Sequence, residues 1–233
     1  MFKREHHRRI EKVLQSLNVR LFRENDCYFG GGTAIALLLG EYRESVDVDF
    51  LTSSLEGYRA IRAATTYDTL GDLLTNPLDE IRMRKDRDKI TALVKVDGEP
   101  VKVECFIEAR MELDQPREEI CGYSVLTRED LYAEKLLAIS DRGTDTSVMS
   151  RDIVDLAMMV DAWGALPEIS LNKAYRAYGE DSILRGLESA LRVFDRIEHR
   201  KKSLRDLQFT ISAMPQLDNG IAAIRQFTSE QLV

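Results

Sequence analysis

Cysteine is scarce in this chain. Cys27, Cys105 and Cys121 are the three among 233 residues, an odd number with no C-x-x-C pair. That argues against a disulfide framework and against a cysteine-based zinc site. Histidine is equally rare, and His6, His7 and His199 have no ligand spacing. Long apolar runs are missing. The longest, Ala34 to Leu39, falls far short of the ~20 residues a membrane-spanning helix needs. The N-terminal MFKREHHRRI is basic but has no apolar signal-peptide core. The expectation is a cytoplasmic protein with no membrane partner. Positive charge is not in excess, since the net charge is −7. Bulk charge therefore does not announce nucleic-acid binding. Cations cluster only locally, at Lys3–Arg9, Arg82–Lys89 and Arg196–Arg205, either as solvated surface or as a patch for RNA. No repeat or low-complexity segment occurs.

The chain does have core-forming material. It is 44% hydrophobic and 31% charged, which suits a packed, soluble protein. Ile10, Val13, Leu14 and Leu17 give residues 3–17 one apolar helical face. Cys27 to Phe29 reads as a short strand. Ser53-Ser54-Leu55-Glu56 reads as a capping box opening a helix to about Ala64. Strands are expected at Glu80–Arg84, Ile90–Val96 and Val101–Ile107, the last two joined by the turn signal Asp97-Gly98-Glu99-Pro100. Residues 65–78 and 108–124 read as irregular. From Thr127 the pattern turns helical. Helices are expected from Thr127 to about Asp141, over Arg151–Trp163 with Ser150 as N-cap, and over 170–178, 180–201 and 218–230. The expected fold is α/β (α+β): a small mixed sheet with flanking helices over 1–124, then an all-α domain over 125–233, with a ligand cleft between them.

One stretch concentrates the chemistry. Gly30-Gly31-Gly32-Thr33 is a glycine turn ahead of an apolar helix, Ala34–Gly40. A polar connection, Glu41 to Ser45, leads to the strand Val46–Leu51, which carries Asp47 and Asp49. Strand side chains alternate, so the two carboxylates share a face with α-carbons ~6.5–7 Å apart. Such a pair repels itself unless a cation sits between, and Mg²⁺ or Mn²⁺ with oxygen ligands and substrate phosphates fits that need. Glycine amides at a helix N-terminus suit phosphate. On Val101–Ile107, Lys102, Glu104 and Phe106 take one face, and Val101, Val103 and Cys105 the other. Glu104 is either an acid on a solvated face or a third acid of the site.

These motifs resemble the DNA polymerase β-like nucleotidyltransferases. Gly31-Gly32-Thr33-Ala34, Arg43 and Ser45-Val46-Asp47-Val48-Asp49-Phe50 are similar, more narrowly, to the AbiEii/AbiGii toxin family. Leu131-Tyr132-Ala133-Glu134-Lys135-Leu136-Leu137-Ala138 and Arg151-Asp152-Ile153-Val154-Asp155-Leu156 resemble two further family segments. The resemblance spans about residues 28–160 and implies a Mg²⁺- or Mn²⁺-dependent nucleotidyltransferase. Asp47, Asp49 and Glu104 would hold the metal, although the family more often has Asp at the third place. Gly31, Gly32, Thr33 and Ser45 would lie at the NTP. Lys135 would hold the triphosphate, with Asp152 beside it, or Asp155 one turn on in its stead. A tRNA or protein acceptor and a separately encoded antitoxin are implied. The competing readings are a small-molecule nucleotidyl- or phosphotransferase of the antibiotic-modifying type, and a non-catalytic binding module.

Overall fold

The computed structural model describes residues 2–232. The chain divides into two compact units, Met1–Ala34 with Ser45–Thr127, and Ile35–Glu44 with Arg128–Val233. Each is described by itself.

The first unit is built on one sheet. Its strands are β1 (Tyr28–Gly30), β2 (Asp47–Thr52), β3 (Asp79–Lys85), β4 (Lys89–Val96), β5 (Glu99–Ile107), β6 (Glu118–Ile120) and β7 (Tyr123–Val125), in the order β3-β4-β5-β2-β1-β7-β6. The sheet is mixed: β2 runs parallel to β5 and β1 parallel to β7, while β1–β2, β3–β4, β4–β5 and β6–β7 are antiparallel. The β4–β5 hairpin turns through Asp97 and Gly98, both at positive φ, as a tight two-residue turn requires.

Side-chain alternation gives the central strands two different faces. Ile90, Ala92, Val94, Val101, Val103, Cys105, Val48 and Phe50 are buried on one of them. Helices α1 (Glu5–Ser16) and α4 (Leu55–Ala63) pack on this side of the sheet. Phe22 of α2 (Val19–Glu24) stacks on Phe50 at 4.2 Å between ring centres, and Tyr123 and Phe29 close the cluster around Phe50. The opposite face carries Asp47, Asp49, Lys102, Glu104, Lys89 and Thr91. Alternation along the strands thus separates the apolar core from the polar face.

Several local expectations need correction. The helix α3 (Gly31–Leu38) already begins at the second glycine, so the glycine run is the helix's first turn rather than a loop before it. The cap of α4 is Ser54, whose hydroxyl accepts from Gly57 N–H, one residue later than the Ser53-to-Glu56 box. Residues 108–124 are not wholly irregular, because β6 and β7 form there.

The second unit holds α5 (Arg128–Arg142), α6 (Arg151–Trp163), α7 (Glu168–Tyr178), α8 (Glu180–Phe194), α9 (Ile197–Asp206) and α10 (Met214–Gln231). The expected helix over 180–201 is two helices, broken at Asp195-Arg196, where Arg196 turns extended and Asp195 pairs with Arg225 of α10. Ser150 precedes α6 but does not cap it. Its hydroxyl bonds His199 instead, at 2.8 Å. Helices α6 and α10 meet closely at Gly220, where an added Cβ would lie 1.9 Å from the carbonyl oxygen of Ala157. No helix among the described residues is long and apolar enough to cross a membrane.

Candidate active site

The sequence around Asp47 folds so that the backbone entering β2 is held on both sides. Thr33 of α3 is buried, and its hydroxyl donates to the Asp47 carbonyl and lies 2.8 Å from the Ser45 hydroxyl. On the other side, the Ser45 N–H donates to His7 Nε2, and His6 Nε2 donates to the Val46 carbonyl. Both histidines of α1 therefore fasten the entry to β2. Sequence reasoning set them aside for lack of ligand spacing, and a backbone-anchoring role leaves no spacing signal.

Strand register then assembles a row across the polar face: Gly30, Asp49, Glu104 and Thr91 are successive neighbours on β1, β2, β5 and β4. One step along, Asp47 is directly beside Lys102. The first turn of α3 reaches over Asp49. A Cβ built on Gly31 would stand 2.3 Å from Asp49 Oδ2, and Gly31 has φ +68°. Only glycine tolerates both the conformation and the approach. The positive end of the helix so placed favours the carboxylate.

Glu104 is nearly buried and faces cations. Its Oε1 is 2.7 Å from Lys89 Nζ and accepts from the Thr91 hydroxyl, and its Oε2 is 3.3 Å from Lys102 Nζ. Lys102 Nζ is also 3.1 Å from Asp47 Oδ2. Burial works to raise the Glu104 pKa, but Lys89 and Lys102 outweigh it and hold the carboxyl below its usual range. Burial likewise opposes the Lys102 ammonium, and Asp47 and Glu104 outweigh it and raise the lysine. Among the described residues no group of three or more His, Cys, Asp or Glu is gathered as metal ligands. Lysine ammoniums stand on both Glu104 oxygens, and Lys102 bridges Glu104 and Asp47. Asp47 and Asp49, an all-oxygen pair on one strand face, have the donor chemistry a hard divalent cation takes.

The second unit brings the other candidates together. Lys135 of α5 is 2.9 Å from Asp152 Oδ1 and 2.6 Å from Asp155 Oδ2. Both acids of α6 are thus partners of the lysine, where the sequence left a choice of one. Arg142 reaches Asp152 from the same helix as Lys135, at 2.7 Å. Arg43 grips Asp155 with two nitrogens, at 2.6 and 2.8 Å, and the Tyr42 hydroxyl donates to the same carboxylate at 2.6 Å. Burial works to raise the pKa of each acid, and the surrounding cations overcome it: Asp152 stays well below the usual carboxylate range, and Asp155 is lowered too. Arg43 stood in the sequence motif without a role. Its partner lies 112 positions away, beyond any local signal.

Gly31→Ala tests the close approach at Asp49. Gly40 also has positive φ, +78°, but an added Cβ there meets nothing within 4 Å. Each alanine should cost about 1–3 kcal/mol for its conformation. Gly31→Ala should cost more, since the methyl must also displace Asp49, and it should abolish any activity that depends on this carboxylate. Equal melting temperatures for the two variants, with activity retained, would show that the contact is unimportant.

No curated protein matches the chain. A candidate nucleotidyltransferase from H. pylori, known from its crystal structure, is similar in fold, with TM-score 0.51 and 14% identity over 96% of this chain and 95% of that one. A second crystal structure, JHP933 from Helicobacter pylori, aligns at TM-score 0.37 and 16% identity over 89% of this chain and 100% of that one, too distant to carry weight. The model of the family described as nucleotidyl transferase AbiEii toxin, type IV toxin–antitoxin system, matches residues 12–226. With nearly its whole length matched, the chain belongs to the AbiEii nucleotidyl transferase toxin family.

Proposed function

We propose that this protein transfers a nucleotidyl group from an NTP to the hydroxyl of an RNA (tRNA) or protein acceptor, releasing pyrophosphate, as the toxin of a toxin–antitoxin pair. One observation carries the reading: Asp47 and Asp49 share a face of β2, and the first turn of α3 closes over Asp49 at Gly31. Carboxylates under a glycine-rich helix N-terminus offer cation ligands beside phosphate donors.

In this reading Asp47 and Asp49, joined by Glu104, hold Mg²⁺ or Mn²⁺. Such an ion supplies charge neutralisation for the attacking and leaving oxygens of phosphoryl chemistry. The amides of Gly31 and Gly32 face the phosphates. Thr33 and Ser45 act from behind, because their hydroxyls are engaged with each other and with the Asp47 backbone. They set the position of Asp47 and leave phosphate contact to the amides. Lys135 is assigned to the triphosphate, oriented by Asp152 and equally by Asp155.

The test is direct. The protein is incubated with Mg²⁺, total RNA or cell lysate, and each NTP in turn, radiolabelled at the α-phosphate. Label should appear on RNA or on a protein acceptor with at least one NTP, together with pyrophosphate. Label on neither, or only on a small molecule, would overturn the reading.

A further inference from the structure

Lys102 is placed unlike the other surface lysines. It sits directly beside Asp47 in the register of β5 against β2, on the polar face. Its ammonium meets two acids at once, Asp47 Oδ2 at 3.1 Å and Glu104 Oε2 at 3.3 Å. Lys89, by contrast, meets Glu104 and has no contact with Asp47. An ammonium on a four-carbon stem is a mobile point charge, able to leave one acid without moving the backbone. A divalent ion bound by Asp47 would lie against a carboxylate that already carries the Lys102 ammonium on Oδ2, and the two cations would repel each other there.

We propose that Lys102 is a resident counter-ion that competes with the divalent metal for Asp47 and Glu104, so that the metal binds well only together with a nucleotide. The inference rests on the carboxylate-site reading above. A nucleotide shifts the balance in two ways: its phosphate oxygens add ligands for the metal, and their charge gives the displaced ammonium a new partner. Lys89 keeps Glu104 fixed while Asp47 changes partners. The consequence is an ordered site, in which free Mg²⁺ does not fill the carboxylates ahead of the substrate.

The experiment follows free Mn²⁺ by electron paramagnetic resonance during titration of the full chain, with and without a non-hydrolysable NTP analogue. The unaltered protein should bind Mn²⁺ weakly alone and at least about tenfold more tightly with the analogue. Lys102→Gln should bind Mn²⁺ about tenfold more tightly without nucleotide and gain less from the analogue. Lys102→Arg should behave like the unaltered chain. Lys89→Gln should raise Mn²⁺ affinity by less than Lys102→Gln does, because Lys89 holds an oxygen of Glu104 but none of Asp47. The proposal falls if Lys102→Gln binds Mn²⁺ as the unaltered chain does, or if Lys89→Gln has an equal effect, which would make the influence a general field. If the unaltered chain binds Mn²⁺ in neither condition and Lys102→Gln does not either, the carboxylate site itself falls along with the proposal. Should Lys102→Gln fail to fold, the comparison with and without analogue in the unaltered chain still decides: equal Mn²⁺ affinities reject the proposal.

Discussion

Asp47→Asn and Asp49→Asn should each reduce nucleotidyl transfer by about a thousandfold or more while the protein stays folded. The substitutions keep side-chain size and remove a charge. At Asp47 the lost partner is Lys102, in a pair that is partly open to solvent and still has Glu104. Such a pair contributes little to stability, about 1 kcal/mol at most. At Asp49 the loss is the attraction of the α3 N-terminus, again about 1 kcal/mol. The expected signature is a melting temperature near that of the unaltered chain with transfer reduced to background. Measuring turnover with the labelled NTP beside a thermal melt separates the effects. Transfer that survives both substitutions would remove these aspartates from the chemistry. Collapse of the fold in either would make the residue structural.

The site was legible in the sequence wherever a period could be counted. Asp47 and Asp49 share a face because strand side chains alternate, and the same alternation sorted Lys102 and Glu104 from Val101, Val103 and Cys105. Helix α6 was found at its observed limits because its apolar face repeats and Gly164 stops it. What escaped depends on partners distant in the chain. Strand β7 is only three residues long; it pairs along its length with the equally short β6 and joins the rest of the sheet where Val125 meets Phe29. The start of α3 at Gly31 was hidden because glycine is a poor helix former, and the conformation is imposed by the approach to Asp49. Lys102 read as an ordinary strand lysine and Lys89 as the end of the local basic cluster Arg82–Lys89. Their hold on Glu104 emerges only when β4, β5 and β2 are set in register. Ser150 illustrates the reverse error: a residue type that favours capping stands at the cap position, yet its hydroxyl is taken by His199.

Asp155→Ala should strongly destabilise the second unit. The carboxylate is fully buried and accepts from Arg43, Tyr42 and Lys135 together. Truncation leaves the buried Arg43 guanidinium and Tyr42 hydroxyl without this acceptor and Lys135 with Asp152 alone, and breaking a buried pair from one side costs about 3–5 kcal/mol. In a chain of this size each kcal/mol lowers the melting temperature by about 2–4 °C. Asp152→Ala should cost less, because Arg142 is partly exposed and can turn to water. Replacing Arg43 and Asp155 together by Met and Leu should recover part of the loss, since apolar residues of similar volume leave no charge stranded from this pair. The pH dependence has a defined sign. Both acids have folded pKa values below their unfolded value of about 3.9. Their stabilisation is therefore complete above that unfolded value and is lost as pH falls through the folded pKa values. Urea melts at neutral pH and near pH 3 should show the unaltered chain losing stability on acidification and Asp155→Ala losing less. If Asp155→Ala melts with the unaltered chain at neutral pH, the network contributes nothing net. Lys135 would then be held by Asp152 alone, and the arrangement around Asp155 would have to be explained by its effect on turnover.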